Sequence, residues 1–144
     1  MFKKIYVSLM VLRDVGKATH AYCRNDSFYG NHLFTDKIIK KLSGYIDDII
    51  EICYLGSKEL PPFPKGYYAQ CAALCPEFTD DEEKLFTALA EIVDAILTEI
   101  NEVGEKCTVG QQNLLGAIAE EMTRMKGLLW RRLASDEGKD SENA

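Results

Sequence analysis

Histidine is scarce in this chain: two residues, His20 and His32, in 144. No site that needs three imidazoles from one subunit fits that supply. Neither histidine has a glutamate three residues before it, which excludes the paired Glu-x-x-His motifs of a bundle-type di-iron carboxylate centre. Basic charge is short too, with 17 lysines and arginines against 23 acids and a net charge of −6. The densest basic clusters are the doublets Lys3–Lys4, Lys40–Lys41 and Arg131–Arg132. Sequence-independent DNA binding needs clustered cations that release counterions, and these doublets are too small for it. There is no Cys-x-x-Cys pair, and the five cysteines, an odd number, read as reduced thiols of a cytoplasmic protein. No apolar run approaches the ~20 residues that span a bilayer. The run 5–12 behind Lys3–Lys4 contains Ser8, ends at Arg13–Asp14 and has no small-x-small cleavage site, so it is not read as an export signal.

What is present suits one domain. At 144 residues and 47% hydrophobic, the chain can bury a core without disulfide or metal staples. Apolar residues recur at helical spacing in four places. The first stretch, about residues 2–24, carries Ile5, Leu9, Leu12 and Val15 and stops at Asn25-Asp26-Ser27. The second, about 31–55, carries Phe34, Ile38, Leu42, Tyr45, Ile49 and Ile52, with Gly56 as the expected C-cap. All four prolines then fall between residues 57 and 78, where a continuous helix is impossible, although 67–74 suits a short one. Thr79-Asp80-Asp81-Glu82 is a capping-box pattern that opens the third helix, which ends near Gly104. The fourth runs over about 109–133 with Leu114, Leu115, Ile118, Met122, Met125 and Leu129 inward. These signals predict an all-α four-helix bundle over residues 1–134, with a short helix inside a long second-to-third connection. Residues 135–144, four acids against Lys139, are expected to form a flexible acidic tail.

Chemistry gathers on the second helix. At ~100° per residue, His32, Asp36, Asp47 and Glu51 fall within about 100° of one another on the helical wheel. Imidazole nitrogen with carboxylate oxygen is a donor set for iron, manganese or zinc. Asp36 and Asp47 are ~16 Å apart along a helix, too far to share one ion within a chain. Two copies packed about a two-fold axis would bring the His32/Asp36 end of one against the Asp47/Glu51 end of the other, with His20 joining from the first helix. A solvated acidic face on an interaction module remains the alternative.

The pattern His20-x11-His32-x3-Asp36-x10-Asp47-x3-Glu51 resembles the intersubunit ferroxidase motif of Dps proteins, the small ferritins that assemble as dodecameric shells. The order of helices and the closing stretch Lys126-Gly-Leu-Leu-Trp-Arg-Arg-Leu133 are similar to that family as well. The resemblance implies a ferritin-like bundle that binds Fe(II), oxidises it with hydrogen peroxide at a dinuclear site and stores the ferric product in a homo-oligomeric shell. By position, His20, His32 and Asp36 would come from one subunit and Asp47 and Glu51 from its mate, with Glu51 bridging two irons. The alternative within the same fold is a structural or partner-binding module whose site holds zinc or no metal.

The sequence departs from the family pattern in three places. Ala21 follows the first histidine, where many members have tryptophan, leaving Tyr22, Tyr29 or Tyr45 as substitutes. The start of the last helix lacks pore aspartates, so Glu99, Glu102 and Glu105 are the available acids. A basic terminal extension is missing, and DNA binding is not expected. Outside the motif, Cys71 and Cys75 read as buried thiols with a shared soft metal as the rarer option. Met122 and Met125 read as core, and Tyr67–Tyr68 as an interface anchor.

Overall fold

The computed structural model describes residues 1–23 and 28–142, with side chains described for 1–23 and 30–134. Five α-helices lie in that range: α1 Lys3–Tyr22, α2 Phe28–Asp48, α3 Pro64–Leu74, α4 Glu82–Val103 and α5 Val109–Glu142. No strand occurs among the described residues, and no helix among them is long and apolar enough to cross a membrane. The expected flexible tail, 135–144, lies outside the residues whose side chains are described.

α1 packs against both α2 and α4, α4 packs on α5, and α5 returns to α2. This is the four-helix bundle that the periodicity predicts. Ile5, Leu9, Leu12, Leu42, Ile49, Leu89, Ile96, Leu115, Ile118 and Met122 are fully buried along its axis. Met125 joins them, as helical spacing predicts. Each such side chain contributes about 1.5–3 kcal/mol by leaving water, so the shared apolar stripe holds the four long helices together.

Three local features differ from the sequence reading. The second helix does not run on as α-helix to 55: residues Ile49–Tyr54 form a π-helical segment and Leu55–Ser57 a 3-10 turn. Gly56 lies inside that turn, and Lys58 instead takes the left-handed conformation, φ 62°, that closes the helix. The amide of Glu59 reaches back to the Tyr54 carbonyl at 3.0 Å, which supplies an acceptor's partner at the helix end. Tyr67 is core rather than interface. It lies edge-on to Tyr6 at 5.5 Å and leaves only Tyr68 exposed.

The caps explain where the last two long helices begin. Asp81, not Thr79, is the N-cap of α4: its carboxylate accepts from the Lys84 amide at 3.1 Å, while Thr79 Oγ1 accepts from the Asp81 amide. Glu82 and Glu83 follow, where the positive helix end favours acids. Before α5, Thr108 and Gln111 form a reciprocal capping box. Thr108 Oγ1 accepts from the Gln111 amide at 3.3 Å and Gln111 Oε1 from the Thr108 amide at 3.0 Å.

Candidate metal centre

The two histidines meet where α1 ends and α2 begins. His20 is in the last turn of α1 and His32 in the first turns of α2. Their rings stack with centroids 3.5 Å apart. Each ring also bonds the other residue's backbone: His20 Nδ1 to the His32 carbonyl at 2.9 Å, and His32 Nδ1 to the His20 carbonyl at 3.1 Å. A carbonyl oxygen only accepts, so both Nδ1 atoms carry the proton and donate. In the neutral imidazoles the lone pair is then on Nε2 of each ring, the atom that ligates a metal.

The carbonyls used are informative. That of His20 belongs to the last turn of α1, where helix geometry leaves acceptors without intrahelical donors. Thr35, fully buried, completes the lock by donating to the Asn31 carbonyl at 2.9 Å and to the His32 carbonyl at 3.1 Å. The start of α2 is fixed from a second side. Asn31 donates to Glu82 at 3.1 Å and accepts from Arg132 Nε at 3.0 Å, which joins α2, α4 and α5. The Arg132 guanidinium lies 5.1 Å over the Phe86 ring. Sequence reading passed over Asn31 and Thr35. Their signal was an i, i+4 polar pair flanking His32 on a helix otherwise apolar on that side.

Asp36 stands one turn beyond His32, half exposed, with its Oδ2 3.2 Å from Lys40 Nζ. Asp47 and Glu51 are exposed further along, Asp47 in the last turn of α2 and Glu51 inside the π-helical segment. The chain therefore joins His20 to His32, and does not bring Asp47 and Glu51 to them. Among the described residues, no three His, Cys, Asp or Glu side chains converge closely enough to hold an ion.

Of the acids near the start of the last helix, Glu99 is partly buried in the α1–α4 seam, where Ser8 Oγ donates to its Oε1 at 3.0 Å. Its Oε2 is buried without a partner, and burial pushes its carboxyl above the ordinary range. Glu102 and Glu105 are exposed. Cys75 is exposed and Cys71 only partly buried, so neither is the core thiol expected. Of the tyrosines offered as tryptophan substitutes, Tyr22 packs edge-on to Phe78 at 5.7 Å, Tyr45 is half-buried, and the Tyr29 side chain lies outside those described.

No protein-family profile matches this chain, and no curated protein sequence matches it. Among solved structures, a mutant of Mycobacterium smegmatis Dps1 is similar, with a TM-score of 0.73 at 18% identity. The match covers 92% of this chain and 91% of that one. The chain thus has the all-α, ferritin-like bundle of the Dps type, including the long connection and its short helix.

Proposed function

We propose that this chain is the subunit of a Dps-type ferroxidase and iron store. In this reading Fe(II) is oxidised by hydrogen peroxide between two subunits and the ferric product is kept inside a homo-oligomeric shell. The observation that carries it is the His20–His32 lock. Two imidazoles are held rigidly with Nε2 as the lone-pair nitrogen, one turn from Asp36, and Asp47 and Glu51 are exposed further along the same winding stretch of chain. Preorganised Nε2 donors with carboxylates match the intermediate-to-hard character of Fe(II) and Fe(III). The wide axial separation of Asp36 from Asp47 supports a centre completed by a second copy.

The chain's residues divide the work. His20, His32 and Asp36 of one subunit, with Asp47 and Glu51 supplied by its mate, position two Fe(II) ions. Each ion gives one electron to a peroxide molecule, whose O–O bond breaks to leave two hydroxide ions. Entry of iron at Asp36 releases Lys40 from its ion pair. The carboxylates stabilise the Fe(III) that results, because anionic oxygen is a hard donor.

The Asp36–Lys40 pair also favours a second reading, a ferritin-like scaffold holding zinc or no metal, because the ammonium occupies the carboxylate. One experiment separates the two. Native mass and anaerobic Fe(II) loading followed by peroxide addition should show an assembly above dimer size that consumes Fe(II) faster than buffer. Asp47→Ala and Glu51→Ala should each slow it at least tenfold. A chain with one zinc per subunit and the buffer rate of oxidation establishes the scaffold instead.

A further inference from the structure

Cys71 and Cys75 belong to no part of the reading above. Cys71 lies in the last turn of α3, partly buried against the core, and Cys75 caps that turn, exposed. The Cys75 amide donates to the Cys71 carbonyl at 2.9 Å, which closes a helical turn between them. Cys75 then leaves the helix with ψ 132° and Pro76 follows, so the turn ends there. We propose that Cys71 and Cys75 form a two-coordinate thiolate site for a soft monovalent cation of the Cu(I) type.

Spacing selects a bridging ion over a disulfide. Helical residues four apart have Cβ atoms about 5–6 Å from each other. A disulfide requires Cβ atoms about 3.5–4.5 Å apart, so the closed turn holds the thiols too far apart to join directly. Two metal–sulfur bonds of about 2.3 Å each, in line, span about 4.6 Å between sulfurs and suit the same turn. The donor count selects the ion. Among the described residues no third His, Cys, Asp or Glu completes a site with this pair, so the tetrahedral set that zinc prefers is missing. Thiolates are soft donors that favour Cu(I), which accepts two-fold linear coordination.

The neighbourhood shapes the binding. Burial first, then the negative charge of the Asp14 carboxylate and that of Cys75 when ionised, push the Cys71 thiol above its usual range. An incoming cation relieves both electrostatic causes at once. Binding converts two thiols and one Cu(I) into a bis-thiolate complex of net charge −1, with two protons released to solvent; no electron is transferred. Affinity for the ion therefore rises about 100-fold per pH unit while both groups remain thiols in the free chain. The remaining cysteines are engaged or enclosed: Cys23 Sγ donates to the Thr19 carbonyl, Cys107 Sγ to the Val103 carbonyl, and Cys53 is fully buried.

The test uses the reduced full-length protein titrated anaerobically with Cu(I) against the chromogenic chelator bicinchoninate. The expected result is about one Cu(I) per chain withdrawn from the chelator, with sulfur-only neighbours in X-ray absorption. Cys75→Ser, at an exposed position, should lose at least 100-fold in affinity while keeping its helical circular dichroism, and Cys71→Ser should do the same. His32→Ala should bind Cu(I) as the parent does, which separates this site from the iron face. A parent chain that yields all its Cu(I) to the chelator overturns the proposal. So does a folded Cys75→Ser variant that holds Cu(I) as tightly as the parent.

Discussion

His20 and His32 each donate from Nδ1 to the other's backbone carbonyl, at 2.9 and 3.1 Å, with their rings stacked 3.5 Å apart. The helix ends and the two rings therefore form one unit: neither imidazole can turn without breaking a bond to the other helix. His20→Ala should cost about 1–2 kcal/mol of stability, the worth of a hydrogen bond plus a half-buried contact. It should also lower Fe(II) oxidation at least tenfold. Urea unfolding reads the first, and stopped-flow iron oxidation the second. A variant stable as the parent and fully active would sink the role given to the lock.

The proposed sharing of one centre by two subunits has an arithmetic consequence. Let one chain carry His32→Ala and Asp36→Ala, and another Asp47→Ala and Glu51→Ala. Each alone should be inactive. A mixed two-fold pair holds one fully mutated site and one intact site, so co-assembled chains should regain about a quarter of parental oxidation. Recovery stuck at zero after verified mixing argues for a site within one chain.

Lys40 pairs with Asp36 across 3.2 Å, so under the proposed function its ammonium competes with iron for that carboxylate. Exposed ion pairs of this kind are worth about 0.2–1 kcal/mol, so Lys40→Gln should tighten Fe(II) binding about 1.5- to 5-fold. Isothermal titration under anaerobic conditions measures it, and weaker binding in the variant contradicts the expectation.

Glu99 makes stability fall as pH rises. Burial raises its carboxyl above the ordinary 4.5, with Glu102 adding to the rise and the Ser8 hydrogen bond and Lys4 opposing it. The folded chain then holds a proton that the unfolded chain has already lost, so its contribution is present below 4.5 and disappears as pH climbs through the raised value. Glu99→Gln keeps an acceptor for Ser8 but cannot ionise. Its stability relative to the parent should grow above about pH 4.5 and then level off. Urea unfolding at a series of pH values reads this difference, and a pH-independent gap would remove Glu99 as the cause.

The clasp behind His32 should be felt at a distance. Arg132→Ala removes the 3.0 Å bond to Asn31 and the guanidinium over Phe86. A loss of about 2 kcal/mol in urea unfolding is expected. Hydrogen exchange should quicken first at the start of α2. Unchanged exchange there would mean the clasp does not position the histidines.

Much of this was legible before the structure, for reasons that differ by element. The helices α1, α4 and α5 repeat apolar residues at one phase, and burial of that stripe is their main stabilisation. The wheel's phase for His32, Asp36 and Asp47 carries over because α2 is α-helical through Asp48, whereas Glu51 stands in the π-helical segment, where a step of ~100° per residue no longer applies. The π-helical segment left no such trace: Ile49, Ile50, Ile52 and Cys53 suit either winding. Lys58 was missed because glycine is the usual left-handed closer and Gly56 stood nearby. Tyr67 misled because an aromatic pair says nothing about which ring faces inward. The histidine lock was invisible because each bond ends on a backbone carbonyl, which every residue possesses.

The π-helical segment also offers an engineering handle. An α-turn needs fewer residues than a π-turn to climb the same axis, so 49–54 contains a surplus residue. Excising Ile50 would let this stretch wind as α-helix and swing the following carboxylate by about 100° about the axis. Every donor atom would survive such an edit, and only its bearing would change. Composition and geometry, which point substitutions alter together, become separable at this one place in the chain.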